Sequence, residues 1–225
     1  MKLLKNAKLP LLLLTFLITF TTLKSQDKEN EKLQAASNVL NNFVGMKEKI
    51  PQKLLEITQG IIVIPKLINA GFVVGGKRGK GIAVIKREDG TWSDPVFITL
   101  TGGSIGFQVG VQSIDLVLVF KNRETLEKIG KGSFTLGGDA SITAGPVGRN
   151  SSASTDYKLE AEVYSYSRSK GLFAGISLSG SALDVDSKAN ENFYGEEVDA
   201  STIFSDSTLK APQAATNLKT TLQNL

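Results

Sequence analysis

The chain has 225 residues, with 26 basic and 22 acidic side chains and neither histidine nor cysteine. These missing residue types exclude His-dependent triads, cysteine nucleophiles, disulfide bonds and ordinary zinc sites. We therefore expect no cofactor, no tightly bound transition metal and no hydrolase activity.

The first 25 residues have the composition of a secretory signal peptide. Three lysines precede an apolar run that begins at Leu9, and a small residue, Ser25, stands before the predicted cleavage site. The run is about 12 residues long, short of the roughly 20 needed to span a bilayer, which favours cleavage over an uncleaved membrane anchor. We predict a leader over 1–25, an exported domain over 26–225, and a periplasmic or secreted location, peripheral to a membrane.

Removal of the leader changes the charge balance. Residues 1–25 hold four lysines and no acid, so residues 26–225 hold 22 basic and 22 acidic side chains. A balanced charge does not fit a protein built to bind nucleic acid, so any electrostatic binding site must be local. The remaining length of about 200 residues is enough for one domain with its own core.

Two helices are predicted at the start of the exported part. Residues 29–44 place apolar side chains at helical spacing before Gly45, and a short helix follows from Pro51 to Gln59. The apolar face of the first helix could pack on the domain or insert into a bilayer. Its candidate membrane-facing residues are Leu33, Leu40 and Phe43.

Strands are predicted from Ile61 onward. The run "IIVI" predicts a short buried strand closed by Pro65, and "IDLVLVF" predicts a strand covered on both faces. Between them, the basic stretch "KRGK" (residues 77–80) predicts a hairpin turn, and "DGTWSDP" predicts another turn. Asn122 is the predicted N-cap of a short helix that ends before Gly130.

The second half of the chain predicts two further strands and a last helix. A half-buried antiparallel strand is predicted over 156–167, where apolar and polar residues alternate, and a Gly- and Ser-rich strand is predicted over 171–186. The last helix is predicted from Pro212 to Leu222. Glycine in so many strand-like segments favours a strongly bent sheet. The predicted fold is a single α+β domain, with a curved antiparallel β-sheet or barrel-like sandwich and helices at the N- and C-terminal ends.

The basic, glycine-rich stretch "GGKRGKG" (residues 75–81) does not match a nucleotide-binding loop. It lacks the glycine spacing and the hydroxyl residue of a Walker loop, and the third glycine of a Rossmann fingerprint. Two interpretations remain: a basic turn that meets an anionic head group, and a solvated hairpin tip.

A second group of cations lies in "SYSRSKG". Arg168 and Lys170 are two residues apart, so on a strand both would face one side and could bind one phosphate; the alternative is an exposed strand end. Asp184 and Asp186 lack the rest of a calcium loop, and we predict that they are solvated. The candidate lipid head-group residues are Lys77, Arg78, Lys80, Arg149, Arg168 and Lys170.

Five stretches, taken together and in this order, resemble one known domain family. They are "GFVVGGKRGKGIAVIKREDGTWSDPVFI", "GGSIGFQVGVQSIDLVLVF", "GGDASITAGPVGR", "STDYKLEAEVYSYSRSKGLFAGISLSGSALDVD" and "NENFYG". This succession resembles the SYLF domain over residues 32–225. The resemblance implies binding of phosphoinositide-type lipids and membranes, partly through an N-terminal amphipathic helix. It implies actin binding in some eukaryotic members, and no catalysis.

The predicted function is non-catalytic binding of lipid at a membrane surface of the cell envelope, with an anionic phospholipid as the partner. The alternative is a structural or protein-interaction module of the envelope without lipid specificity. A third hypothesis is an enzyme that uses carboxylates. We expect no nucleic-acid partner. Since the chain resembles an exported bacterial member of the family, we also do not expect actin binding.

Overall fold

The chain forms one curved sheet with helices before and after it. The computed structural model describes residues 8–46, 50–132, 134–145, 159–173, 175–209 and 211–225. Within these ranges the helices are α1 (Lys8–Val44), α2 (Gln52–Glu56), α3 (Arg123–Glu127), α4 (Ser187–Tyr194), α5 (Ala200–Ser205) and α6 (Gln213–Gln223), with a 3-10 turn at Lys128–Lys131. The strands are β1 (Gly60–Ile85), β2 (Val96–Phe120), β3 (Phe134–Thr135), β4 (Ile142–Ala144), β5 (Val163–Ser169), β6 (Leu172–Phe173) and β7 (Ala182–Val185).

Strands β1 and β2 pair along their length as an antiparallel ribbon. Its register shifts between Ile64 and Leu67, and Pro65 lies inside this shift. Proline has no N–H to donate, so it is tolerated where a bulge interrupts the ladder. The prediction that Pro65 closes a short strand is therefore wrong, because the bulge lets β1 continue past it.

The basic stretch 77–80 lies inside β1, so the predicted hairpin turn is wrong. Lys77 pairs with Gly102 and Lys80 pairs with Thr99, in unbroken register with the residues on either side. The lysine and arginine side chains therefore alternate across a strand instead of clustering on a loop.

Close packing of β1 on itself explains the glycines that resemble a turn. A Cβ at Gly81 would overlap the carbonyl oxygen of Val63, and a Cβ at Gly79 would lie 2.8 Å from Cδ1 of Leu67. Only glycine lets the second half of the strand lie this close to the first half. These positions thus allow the ribbon to coil, which is the strong curvature that the sequence predicts.

The other strands pair on the far side of β2. Residues 115–120 of β2 pair with β5, and residues 98–101 pair with β7. Strand β3 pairs with β7, β6 pairs with β5, and β4 adds a short parallel pair to β5. Among the described strands, the stretch of β2 between its two partners pairs with β1 alone. This two-stranded part, residues 68–76 and 102–113, lies midway along both strands, where the ribbon folds back on itself, and we call it the ribbon tip.

The strands of the second half are shorter than the sequence predicts. The strand predicted over 156–167 is observed as β5, which begins at Val163, while its predicted residues 156–158 lie outside the described residues; the strand predicted over 171–186 is divided into β6 and β7. Gly180 has a φ of 77° and donates its N–H to the carbonyl oxygen of Leu136 at 2.7 Å. A left-handed glycine with a bond to another segment ends the extended conformation there.

The sheet is covered on both faces away from the tip. In β1, Ile61, Val63, Ile82 and Val84 pack toward the terminal helices, while their neighbours Ile62, Ile64, Ala83 and Ile85 pack toward α3 and α5. Alternate residues of one strand therefore enter two separate cores. This arrangement confirms that the continuous apolar runs are strands buried on both sides.

Helix α1 packs on the sheet and on α6 through its residues from Leu33 to Phe43. Its boundary at Val44 and the position of Gly45 agree with the sequence, as do α2 and α6 within a few residues. Its backbone is helical from Lys8, so it also includes part of the predicted leader; cleavage near Ser25 stays a prediction. None of the helices in the described part of the chain combines the length and the apolarity needed to cross a bilayer.

The loop over 86–95 joins β1 to β2, and we call it the closed end of the ribbon. Arg87 Nη2 donates to the carbonyl oxygen of Asp206 at 2.7 Å. The carboxylate of Asp94, a residue only 2% exposed, accepts a hydrogen bond from Lys219 Nζ of α6 at 2.7 Å. These contacts fix the closed end to the last two helices.

Candidate functional site

Lys77, one of the predicted head-group residues, is buried. It is 6% exposed, and its ammonium group donates to the carbonyl oxygen of Ser177. Burial lowers the pKa of Lys77, because desolvation disfavours the charged form. Its position links β1 to the segment before β7 and keeps the ammonium group away from the surface.

Arg78 and Lys80 point to the opposite side of β1 and are exposed. Lys80 Nζ lies 2.6 Å from Oδ2 of Asp186. The other carboxylate oxygen of Asp186, Oδ1, accepts a hydrogen bond from the N–H of Ala189, so Asp186 is the N-cap of α4. Burial alone would raise the pKa of Asp186, but these contacts hold it below its ordinary value. Asp186 is thus an ion-paired cap instead of the freely solvated carboxylate that the sequence predicts.

Arg168 and Lys170 do not form the predicted pair on one strand face. Arg168 lies on β5, and its Nη2 is 2.7 Å from Oδ2 of Asp115 on β2. Lys170 and Gly171 form the turn between β5 and β6, with φ values of 49° and 83°. Two consecutive left-handed residues are typical of a tight hairpin turn. Lys170 is therefore exposed at the end of a hairpin, while Arg168 is held by a carboxylate.

Lys66 is a further exposed cation that the sequence patterns did not indicate. It follows Pro65 in the bulge of β1, has a φ of 53° and is exposed. Its backbone N–H donates to Oδ1 of Asp115 at 3.2 Å, so Asp115 joins Lys66 to Arg168. The only sequence signal for this position was the proline, which was interpreted as the end of a strand.

The segments around the ribbon tip are strongly basic. Over 66–80, 99–115 and 168–182, the sequence has a single acid, Asp115. The same segments hold six basic residues, which are Lys66, Lys77, Arg78, Lys80, Arg168 and Lys170. The charge of residues 26–225 is balanced, so this local excess is offset by acids elsewhere in the chain. Arg149, the remaining predicted head-group residue, lies outside the described residues.

The predicted membrane-facing residues of α1 are buried in the domain. Leu33, Leu40 and Phe43 lie in the core between α1, α6 and the sheet. Of the two alternatives left open by the sequence, the structure has the packed one. Fully burying such a side chain stabilises the fold by about 1.5–3 kcal/mol. Moving the three side chains from the core into a membrane would have to recover at least the same free energy.

Acidic and tyrosine side chains of the described residues have structural surroundings. The described residues contain no group of three or more Asp and Glu side chains arranged to hold a metal ion. Burial raises the pKa of the tyrosine hydroxyls of Tyr166 and Tyr194, so both stay protonated at neutral pH. The Tyr194 hydroxyl donates to the carbonyl oxygen of Pro95 at 2.8 Å, a structural contact with the closed end.

Comparison with known proteins identifies one family. A family model described as "Ysc84: Las17-binding protein actin regulator" matches residues 101–225. The chain is 36% identical over 187 residues to LAS seventeen-binding protein 3 of Saccharomyces cerevisiae, a match that covers 82% of this chain and 40% of the relative. It is 35% identical over 206 residues to Protein YSC84 of the same yeast, which covers 90% and 44%.

A human relative gives the same result. The chain is 33% identical over 195 residues to SH3 domain-containing YSC84-like protein 1 of Homo sapiens, a match that covers 86% of this chain and 57% of the relative. The chain thus spans between 40% and 57% of the length of these three relatives. These matches confirm the resemblance to the SYLF domain that the sequence motifs indicate.

Proposed function

The chain belongs to the Ysc84 family, and from that premise we propose that it is a non-catalytic module that binds the surface of an anionic membrane. The observation that carries the proposal is the excess of basic residues in the segments around the ribbon tip, of which Lys66, Arg78 and Lys170 are exposed. The family description and the names of the relatives refer to binding and regulation, which supports a function without catalysis.

Three of the cations are free to meet head groups. Lys66, Arg78 and Lys170 are exposed, whereas Lys80 and Arg168 each share a carboxylate and Lys77 is buried. A Lys or Arg near an anionic membrane contributes about 1 kcal/mol, so three give a modest attraction. The attraction should weaken with salt, because the Debye length falls from about 10 Å at 0.1 M to about 3 Å at 1 M.

Vesicle co-sedimentation of residues 26–225, the chain without the basic, apolar leader, tests this proposal. The test variant is Lys66→Gln, Arg78→Gln and Lys170→Gln. The control removes the same charge at exposed sites outside the tip, through Lys53→Gln, Lys128→Gln and Lys131→Gln. We expect the affinity of the test variant for vesicles that contain phosphatidylglycerol to fall about a hundredfold, and the control to bind much as the wild type does. Equal binding of all three proteins, independent of salt and anionic lipid, would contradict the proposal.

Protein binding is the second candidate function, and the family match favours it. The matching model is described as a Las17-binding actin regulator. The expectation from the sequence that actin binding does not apply to this chain finds no support in these comparisons. Co-sedimentation with filamentous actin tests this candidate. Pelleting with actin, together with no binding to anionic vesicles, would favour it over the membrane proposal.

We also propose that the protein is exported and acts after removal of residues 1–25. The support is the lysine-flanked apolar run that ends before Ser25. Intact-mass measurement of the protein from its native cells should give a chain that begins at or near Gln26. A mass that includes Met1 through Ser25 in protein from the envelope would contradict this part of the proposal.

A further inference from the structure

The ribbon tip exposes large apolar side chains. Val74 is 71% exposed, Val111 is 73% exposed, and Ile68 is 42% exposed. Ile68 pairs with Ser113 and Ala70 pairs with Val111, so Ile68 and Val111 lie on the same face of the ribbon. In the two cores, by contrast, the apolar residues of the same two strands are fully buried.

The hairpin between β5 and β6 places a further apolar side chain at this end of the sheet. Leu172 is 73% exposed and pairs with Ser169. The hydroxyl of Ser169 donates to the carbonyl oxygen of Ser113 at 3.3 Å, which joins this hairpin to the tip strand β2. Val74, Val111 and Leu172, the three most exposed of the large apolar side chains in the described part of the chain, therefore all lie at one end of the sheet.

The chain folds sharply at the tip and still pairs its backbone. A Cβ at Gly71 would lie 2.6 Å from Cα of Gly75, so β1 turns closely on itself there. The residues before and after this turn keep their ladder partners in β2, from Ile68 to Gly71 and from Val73 to Gly76. Paired N–H and C=O groups enter the outer layer of a bilayer at lower cost than unpaired ones.

Charge decides between the possible occupants of this end. Lys66 and Lys170 flank the apolar side chains, and the nearest acid, Asp115, is held by Arg168. A second copy of the chain at the free edge of β2 would place these cations next to the same cations of the other copy, and like charges repel. Exposed apolar side chains on separate protrusions between cations fit a surface that is anionic outside and apolar below, which is a bilayer.

We propose that the ribbon tip and the β5–β6 hairpin insert Val74, Val111 and Leu172 into the head-group layer of an anionic membrane, while Lys66 and Lys170 contact the lipid phosphates. This inference rests on the membrane-binding function proposed above and names the part of the chain that enters the lipid. Helix α1 stays packed on the sheet in the bound state. The membrane then contacts the end of the sheet that both cores leave uncovered.

Site-specific fluorescence tests the insertion, and the absence of cysteine from the sequence makes each label unique. We would introduce Val74→Cys, Val111→Cys or Leu172→Cys into residues 26–225 and attach a polarity-sensitive dye. The control is Ile57→Cys, at an exposed apolar position after α2. With phosphatidylglycerol vesicles, the emission of the dyes at positions 74, 111 and 172 should shift to shorter wavelength and be quenched by spin-labelled lipid. The emission of the control dye should not change.

The possible outcomes separate the two proposals. If the labelled chain binds vesicles and the tip dyes do not respond, the insertion is overturned while membrane binding stands. If the chain does not bind the vesicles, both fail. A blue shift that needs only a higher protein concentration, without lipid, would overturn the insertion in favour of self-association.

A binding measurement without labels completes the test. The variant Val74→Ser, Val111→Ser and Leu172→Ser should lower affinity for anionic vesicles by about tenfold to a hundredfold, because each change removes buried apolar surface in the bound state. The variant Val44→Ser with Ile57→Ser, at exposed apolar positions elsewhere, should bind like the wild type. Equal affinity of the tip variant and the wild type would overturn the inference.

Discussion

The closed end and the tip of the β1–β2 ribbon have the same backbone pairing and opposite surroundings. At the closed end, Arg87 and Asp94 bind helices α5 and α6, or the residues next to them, and the strands enter two cores. At the tip, Val74 and Val111 are mostly exposed. The contacts that hold the fold therefore lie at the closed end and in the two cores, which leaves the tip free to be selected for binding.

The largest expected loss of stability follows from breaking the closed end at Asp94. The Asp94→Ala variant would remove a buried carboxylate from the partly exposed Lys219 and from Arg87. Because only the carboxylate is fully buried, we expect a loss of about 3 kcal/mol, the low end of the range for breaking a buried ion pair. Urea unfolding of the variant measures the loss. Asp89→Asn, an exposed change in the same loop, should leave the midpoint unchanged, and a small effect for Asp94→Ala would contradict the central role of this contact.

The next largest effect separates two glycines of the same ribbon. Gly81→Ala would force a Cβ into the carbonyl oxygen of Val63, and we expect a loss of about 3 kcal/mol from overpacking. A Cβ at Gly103, in the tip, would meet nothing within 4 Å. Gly103→Ala should therefore change the free energy of unfolding by less than about 1 kcal/mol. Thermal unfolding of the two variants measures the difference in stability. Similar losses would mean that the tip is packed as closely as the ribbon around Gly81.

A smaller, pH-dependent effect is expected at the ion pair between Lys80 and Asp186. The pKa of Asp186 in the folded state is below its ordinary 3.8, so its contribution to stability is present above about pH 4 and is lost as the pH falls through the folded pKa. Because Lys80 is half exposed, the pair is worth about 1 kcal/mol or less. Lys80→Gln should therefore destabilise the protein slightly at pH 7, by an amount that shrinks below pH 4. A difference that grows toward acid pH would contradict this.

The smallest effect on stability should come from the tip itself. Val111→Ser removes an apolar side chain that is 73% exposed, and we expect a change of less than about 0.5 kcal/mol in the free energy of unfolding. The melting temperature of this variant should match that of the wild type. A loss of stability as large as that of Gly81→Ala would show that the tip contributes to the core. The tip and the closed end would then not differ in their contribution to stability.

Much of the fold could be predicted from local patterns. The apolar face of α1, the N-cap at Asn122 and the strands buried on both sides follow from spacing and composition, and the structure agrees with them. These features depend on residues that are neighbours in sequence or one helical turn apart. The number of glycines also indicated a strongly bent sheet, since strand glycine is destabilising unless backbones must approach closely.

The candidate site was harder to predict, because it depends on which segments meet. Gly79 and Gly81 resemble turn residues in sequence, and only the contact with Val63 and Leu67 reveals them as packing positions. Spacing alone did not indicate that Lys77 would be buried against Ser177, or that Arg168 would pair with Asp115, 53 residues away. The exposed apolar tip was missed for the same reason, since "GFVVGG" has the composition of a buried strand.

Hydrogen–deuterium exchange of residues 26–225, with and without phosphatidylglycerol vesicles, reports on the tip and the closed end in one experiment and therefore tests whether the tip is the membrane contact. We expect amides in 68–76 and 102–113 to exchange more slowly when vesicles are present. The closed end, 86–95, and helix α1 should exchange at the same rate in both samples. A change confined to α1 or to the closed end, with the tip unaffected, would contradict the account.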